Sequence, residues 1–71
     1  MNILYCGDAN VCDGIFLSAL SLAGQTQRAL HVFILTADVG SHMAIPASFE
    51  KRLEAALQDS HAGSRVTCIN I

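Results

Sequence analysis

At 71 residues and a formal net charge of −2, the chain makes one domain at most and carries no electrostatic footprint for nucleic acid. Its basic residues, Arg28, Lys51, Arg52 and Arg65, form no stripe. Apolar residues make up 52% and charged ones 14%, against a usual charged share of about 25%, which suits the inside of a larger protein. A chain this short buries only about 60% of the surface its unfolded form exposes. So apolar a sequence is expected to belong to a larger domain, or to self-associate through exposed apolar surface.

Asn2 to Cys6 reads as a strand, with Ile3, Leu4, Tyr5 and Cys6 apolar enough for cover on both faces. Gly7 to Asp13 is a polar turn, and Gly14 to Ala23 a helix whose only polar residues are Ser18 and Ser21. A helix apolar on nearly all sides is expected to be buried on nearly all sides. Leu30 to Thr36 is a second unbroken apolar strand, followed by a loop from Ala37 to Ile45. Pro46 suits the first turn of a helix. Phe49, Leu53, Ala56 and Leu57 then fall on one stripe, with Glu50, Lys51, Arg52 and Glu54 on the wet side. Gly63 stops that helix, and Arg65 to Ile71 closes as a third strand.

The order β-α-β-α-β predicts the α/β class. Crossovers of this length join parallel strands, and right-handed ones give spatial order 3-2-1, half of a Rossmann-like parallel sheet. Ligands of such sheets bind at the carboxyl ends of the strands, so the turn after the first strand is the place to look.

The longest apolar run, Gly14 to Gly24, is too short to span a bilayer and is broken by Ser18 and Ser21, so no transmembrane segment is expected. No cationic stretch precedes the first strand, which argues against a secretory signal. Cys6, Cys12 and Cys68 are odd in number and lack Cys-x-x-Cys spacing, as suits a reduced, cytoplasmic chain. They read as small buried hydrophobes.

Gly7-Asp8-Ala9-Asn10-Val11-Cys12-Asp13-Gly14 fits neither a dinucleotide fingerprint nor a Walker loop. A carboxylate at Asp8 repels a phosphate placed over it but accepts from an imide N–H, which uracil offers. Asn10, donor and acceptor together, suits a ribose hydroxyl or a base. The alternative is that Asp8, Asn10 and Asp13 only form the turn and cap the helix, with Asp13 the favoured cap. His31, His42 and His61 lack metal-ligand spacing, and only His42, in the long loop, is placed to face a site. Ser18 and Ser21 are expected to bond back to the preceding helical turn. No catalytic set assembles from these residues.

The stretch Asn2-Ile3-Leu4-Tyr5-Cys6-Gly7-Asp8-x-Asn10-Val11-x-Asp13-Gly14 resembles the amino-terminal motif of family 8 glycosyltransferases, most closely the bacterial enzymes that extend lipopolysaccharide. Ser18 to Leu22 is similar to the family's first helix, and His31 to Thr36 to its second strand. The resemblance implies a GT-A type fold, a UDP-sugar donor of galactose or glucose type, retention of anomeric configuration and a glycan acceptor. It makes residues 1–71 the amino-terminal nucleotide-binding part of an incomplete GT-A domain. By resemblance Asp8 binds the uracil with backbone help from Cys6, and Ala9, Asn10 and Val11 contact the nucleoside. Val11 stands where the family often has an aromatic residue. The family also holds Mn2+ or Mg2+ on an Asp-x-Asp motif, which these 71 residues lack, so metal and acceptor sites fall outside them. The isolated chain is then expected to be inactive. Two rivals remain: a non-enzymatic α/β module that associates through its first strand and apolar helix or packs on a partner, and a flavodoxin-like domain, which lacks its phosphate loop here.

Overall fold

A computed structural model describes all 71 residues. The elements are β1 (Asn2–Cys6), a 3-10 turn (Ala9–Val11), α1 (Cys12–Gln25), β2 (His31–Thr36), α2 (Ala47–Ser60) and β3 (Arg65–Asn70). The three strands form one parallel sheet in the order β1-β2-β3. Leu4 lies beside Phe33, and Phe33 beside Thr67. Chain order and sheet order coincide because each crossover moves one strand further in the same direction. Successive crossovers of one hand land on one face, and α1 and α2 do meet there, Phe16 edge-on to Phe49 at 6.3 Å.

The core lies between that helical layer and the sheet. Strand β2 alternates: Val32, Ile34 and Thr36 are buried toward the helices, while His31, Phe33 and Leu35 lie on the other face. Ile15, Ala19 and Ala23 face them from α1, and Phe49, Leu53 and Leu57 from α2. Ser64, fully buried, accepts from the Leu30 amide at 3.1 Å and so satisfies a backbone donor inside the core.

Several expectations are corrected. The strands are not covered on both faces: Leu4 is 61% and Ile69 44% exposed, because two same-handed crossovers supply no second layer. Helix α1 is not buried all round, and Leu17 on its outer side is 68% exposed. The turn after β1 is shorter than Gly7 to Asp13, since a 3-10 turn and then α1 take over from Ala9. Asp13 is consequently an acidic first-turn residue, not the cap; the capping carboxylate is that of Asp8, whose Oδ1 accepts from Asn10 N at 3.0 Å. Pro46 stands just before α2 as its N-cap, and α2 ends at Ser60, short of Gly63.

Ser18 does not bond back along its helix; its Oγ lies 2.8 Å from Tyr5 Oη. Glu50 and Glu54 do not simply face water. Glu54 Oε1 accepts from Val66 N at 3.0 Å, and Glu50 Oε2 from Cys68 N at 3.1 Å, so α2 reaches down to cover the outer edge of β3. Cys6 is exposed, and Cys12 and Cys68 are half-buried.

Candidate functional site

Three strands ending on the same side leave a cleft at their carboxyl ends. Its volume is about 430 Å³. Cys6, Gly7 and Asp8 line it from the end of β1, and Leu35, Thr36 and Ala37 from the end of β2. Val39 and His42 come from the loop before α2, and Ile71 from beyond β3. Its walls are largely apolar and its few polar groups converge from two loops, the usual make-up of a small-molecule site.

Both loops are held by their own short polar residues. Thr36 Oγ1 accepts from Ile45 N at 2.9 Å, and Asp38 Oδ1 from Ala44 N at 2.8 Å. Val39 and His42 exchange backbone hydrogen bonds of 2.9 Å, and Gly40 closes that tight reversal at φ 59, where a side chain would be strained. The two loops also join one another. Ala9 N donates to Met43 O at 2.8 Å, and His42 Nδ1 lies 2.9 Å from Asp8 Oδ2. Asp8 therefore has one oxygen on its own turn and the other on the opposite loop. A carboxylate offers about four lone-pair positions, so Asp8, 25% exposed in its side chain, keeps capacity for a ligand N–H.

Of the residues singled out from the sequence, Cys6 and Asp8 line the cleft and Ala9, Asn10 and Val11 do not. Asn10 is exposed on the 3-10 turn, where its backbone N–H serves the Asp8 cap. Val11 packs over Gly7, and a Cβ on Gly7 would collide with its side chain. His42 is brought to the cleft, opposite Asp8. Leu35, Val39 and Ile71 were not singled out, although each follows or ends an apolar run, where a parallel sheet opens to ligands.

Burial, with the Asp13 charge, pushes the Cys12 thiol up, and Arg52 opposes this. Burial and then the hydrogen bond and charge of Glu50 push Cys68 up to about 12. Neither sulfur is activated as a nucleophile, since that requires a lowered value. No three His, Cys, Asp or Glu side chains converge to hold a metal ion, so the Mn2+ or Mg2+ of the resemblance finds no fit here, and no step through it is derived. No helix is long and apolar enough to cross a membrane. The chain matches no family model, no curated protein and no solved structure.

Proposed function

We propose that the cleft binds the uracil nucleoside of a UDP-sugar, as part of a retaining, Rossmann-like glycosyltransferase domain whose metal and acceptor sites lie outside these residues. The donor is of galactose or glucose type and the product a bacterial glycan such as lipopolysaccharide, made in the cytoplasm. One observation carries this reading: a partly exposed carboxylate, Asp8, stands in an apolar cleft at the carboxyl end of β1. Asp8 accepts the imide N–H of uracil, and the apolar wall of Leu35, Val39 and Ile71 takes the flat of the base. Asn10, which lies outside the lining, has no assigned contact with the base.

Titration of the chain with uridine, UDP and cytidine, followed by amide NMR, tests it. Uridine and UDP are expected to shift Cys6, Asp8 and His42, and cytidine, whose ring N3 carries no hydrogen, to bind more weakly. Asp8→Asn keeps a good helix cap while removing the charged acceptor, so uridine binding should fall about tenfold with little change in stability. Equal binding of cytidine and uridine, or an Asp8→Asn variant with unchanged affinity, would overturn the assignment.

The uncovered sheet face favours a second reading, a non-enzymatic α/β module that self-associates or packs on a partner. Light scattering separates the two: a defined dimer with no uridine binding supports the module.

A further inference from the structure

The two edges of the sheet are not alike. In β3, Arg65 N and Ile71 N donate inward to β2, so Val66, Cys68 and Asn70 point their amides outward. Glu54 and Glu50 occupy the first two of those outward amides. A carboxylate placed on an edge amide both uses the donor and repels an incoming carbonyl, which blocks strand addition. In β1, Gly7 N donates to Leu35 O and Met1 O accepts from His31 N, so the odd-numbered residues face β2. The outward groups are those of Asn2, Leu4 and Cys6, all three exposed, and no side-chain hydrogen bond reaches them as Glu54 and Glu50 reach β3. This edge carries no charge, no proline and no bulge, the devices that normally protect an edge strand.

We propose that β1 pairs antiparallel with β1 of a second copy of this chain, centred on Leu4. The proposal deepens the self-association reading and concerns the 71-residue chain by itself, since the other half of a Rossmann-like sheet would take the same edge of β1. Three outward residues with Leu4 in the middle are self-complementary about a two-fold axis. Leu4 meets Leu4 of the other copy, and Asn2 meets Cys6 at either end, each pair exchanging two backbone hydrogen bonds. The result is a continuous six-stranded sheet whose ends are the carboxylate-blocked β3 edges, so assembly stops at two.

The helical layer fits the same arrangement. The Tyr5–Ser18 hydrogen bond places the Ser18 side of α1 over β1, and Val11, 41% exposed, and the half-buried Leu22 lie on that side of the helix. Across the paired edge, that side of α1 faces the same side of its twin. The β1 edge, five residues and so about 17 Å long, makes with this flank a small interface, so a weak, concentration-dependent dimer is expected.

Sedimentation equilibrium across a concentration series tests this, with amide hydrogen exchange run alongside. The expected result is a species of twice the 7.5 kDa chain mass, with Leu4 and Cys6 amides gaining protection as the dimer forms. Leu4→Pro removes the central donor, and Leu4→Lys, which keeps the backbone and guards against a folding failure, puts a charge on the edge; both should be monomeric. Glu50→Ala/Glu54→Ala opens the second edge and should form species larger than a dimer. A wild-type monomer up to millimolar concentration overturns both the pairing and the self-association reading. A dimer that persists in Leu4→Lys overturns the pairing alone and leaves association through another surface.

Discussion

Asp8 Oδ2 and His42 Nδ1 stand 2.9 Å apart and tie the turn after β1 to the loop before α2 at the cleft. The His42 side chain is 59% exposed, so the contact resembles a surface ion pair in worth, below about 1 kcal/mol. His42→Ala should therefore change the unfolding free energy by less than that amount. It also frees one carboxylate oxygen, so uridine affinity should rise, by at most about fivefold. Chemical denaturation and calorimetric titration of the same variant check both outcomes.

Gly7 is required by a close approach. A methyl group there meets the Val11 side chain, which sits on the first turn beyond the strand. Gly7→Ala should cost about 1–3 kcal/mol, as overpacking does. Trimming the obstacle in Gly7→Ala/Val11→Ala should recover part of the loss. Thermal melts of the two variants against wild type measure the coupling.

Cys68 is harder to ionise in the folded chain than in the unfolded one, because burial and Glu50 push its thiol up from 9.0 to about 12. The stability linked to it is complete below pH 9 and is lost as the pH climbs toward 12. Cys68→Ala should flatten that decline, as urea midpoints across the alkaline range would reveal. At pH 8 iodoacetamide should modify Cys68 only on unfolding, since a shift of that size leaves about a thousandfold less thiolate.

Ser64→Ala strands the Leu30 amide in the core, since the fully buried Ser64 Oγ is the acceptor it uses. An orphaned buried donor costs about 1–3 kcal/mol. In a 71-residue domain that is a large share of the total stability, so the melting temperature should drop by several degrees. Differential scanning calorimetry gives the number directly.

Local pattern carried much of the fold. The apolar runs of β1, β2 and β3 lie within a residue of where composition placed them, since a short run of such residues is stable only when paired and buried. The Phe49, Leu53 and Leu57 stripe also faces the core as its spacing requires. Helix α1 was longer at both ends than its apolar stretch, because Cys12 and Asp13 join the first turn once Asp8 has capped the chain before them.

Sequence alone determined the alternation of strand and helix, the apolar stripes and the presence of a polar turn after β1, all of which depend on neighbours along the chain. Tertiary structure decided the rest. Glu50 and Glu54 look solvated on a helical wheel, and only the seating of α2 beside β3 turns them into edge caps. Asp8 and His42 are far apart in sequence and meet only because parallel strands bring two loops to the same end of the sheet. The bare face of Leu4, Phe33 and Ile69 likewise follows from which side both crossovers take, a choice made by the handedness of the connections and not by the residues exposed.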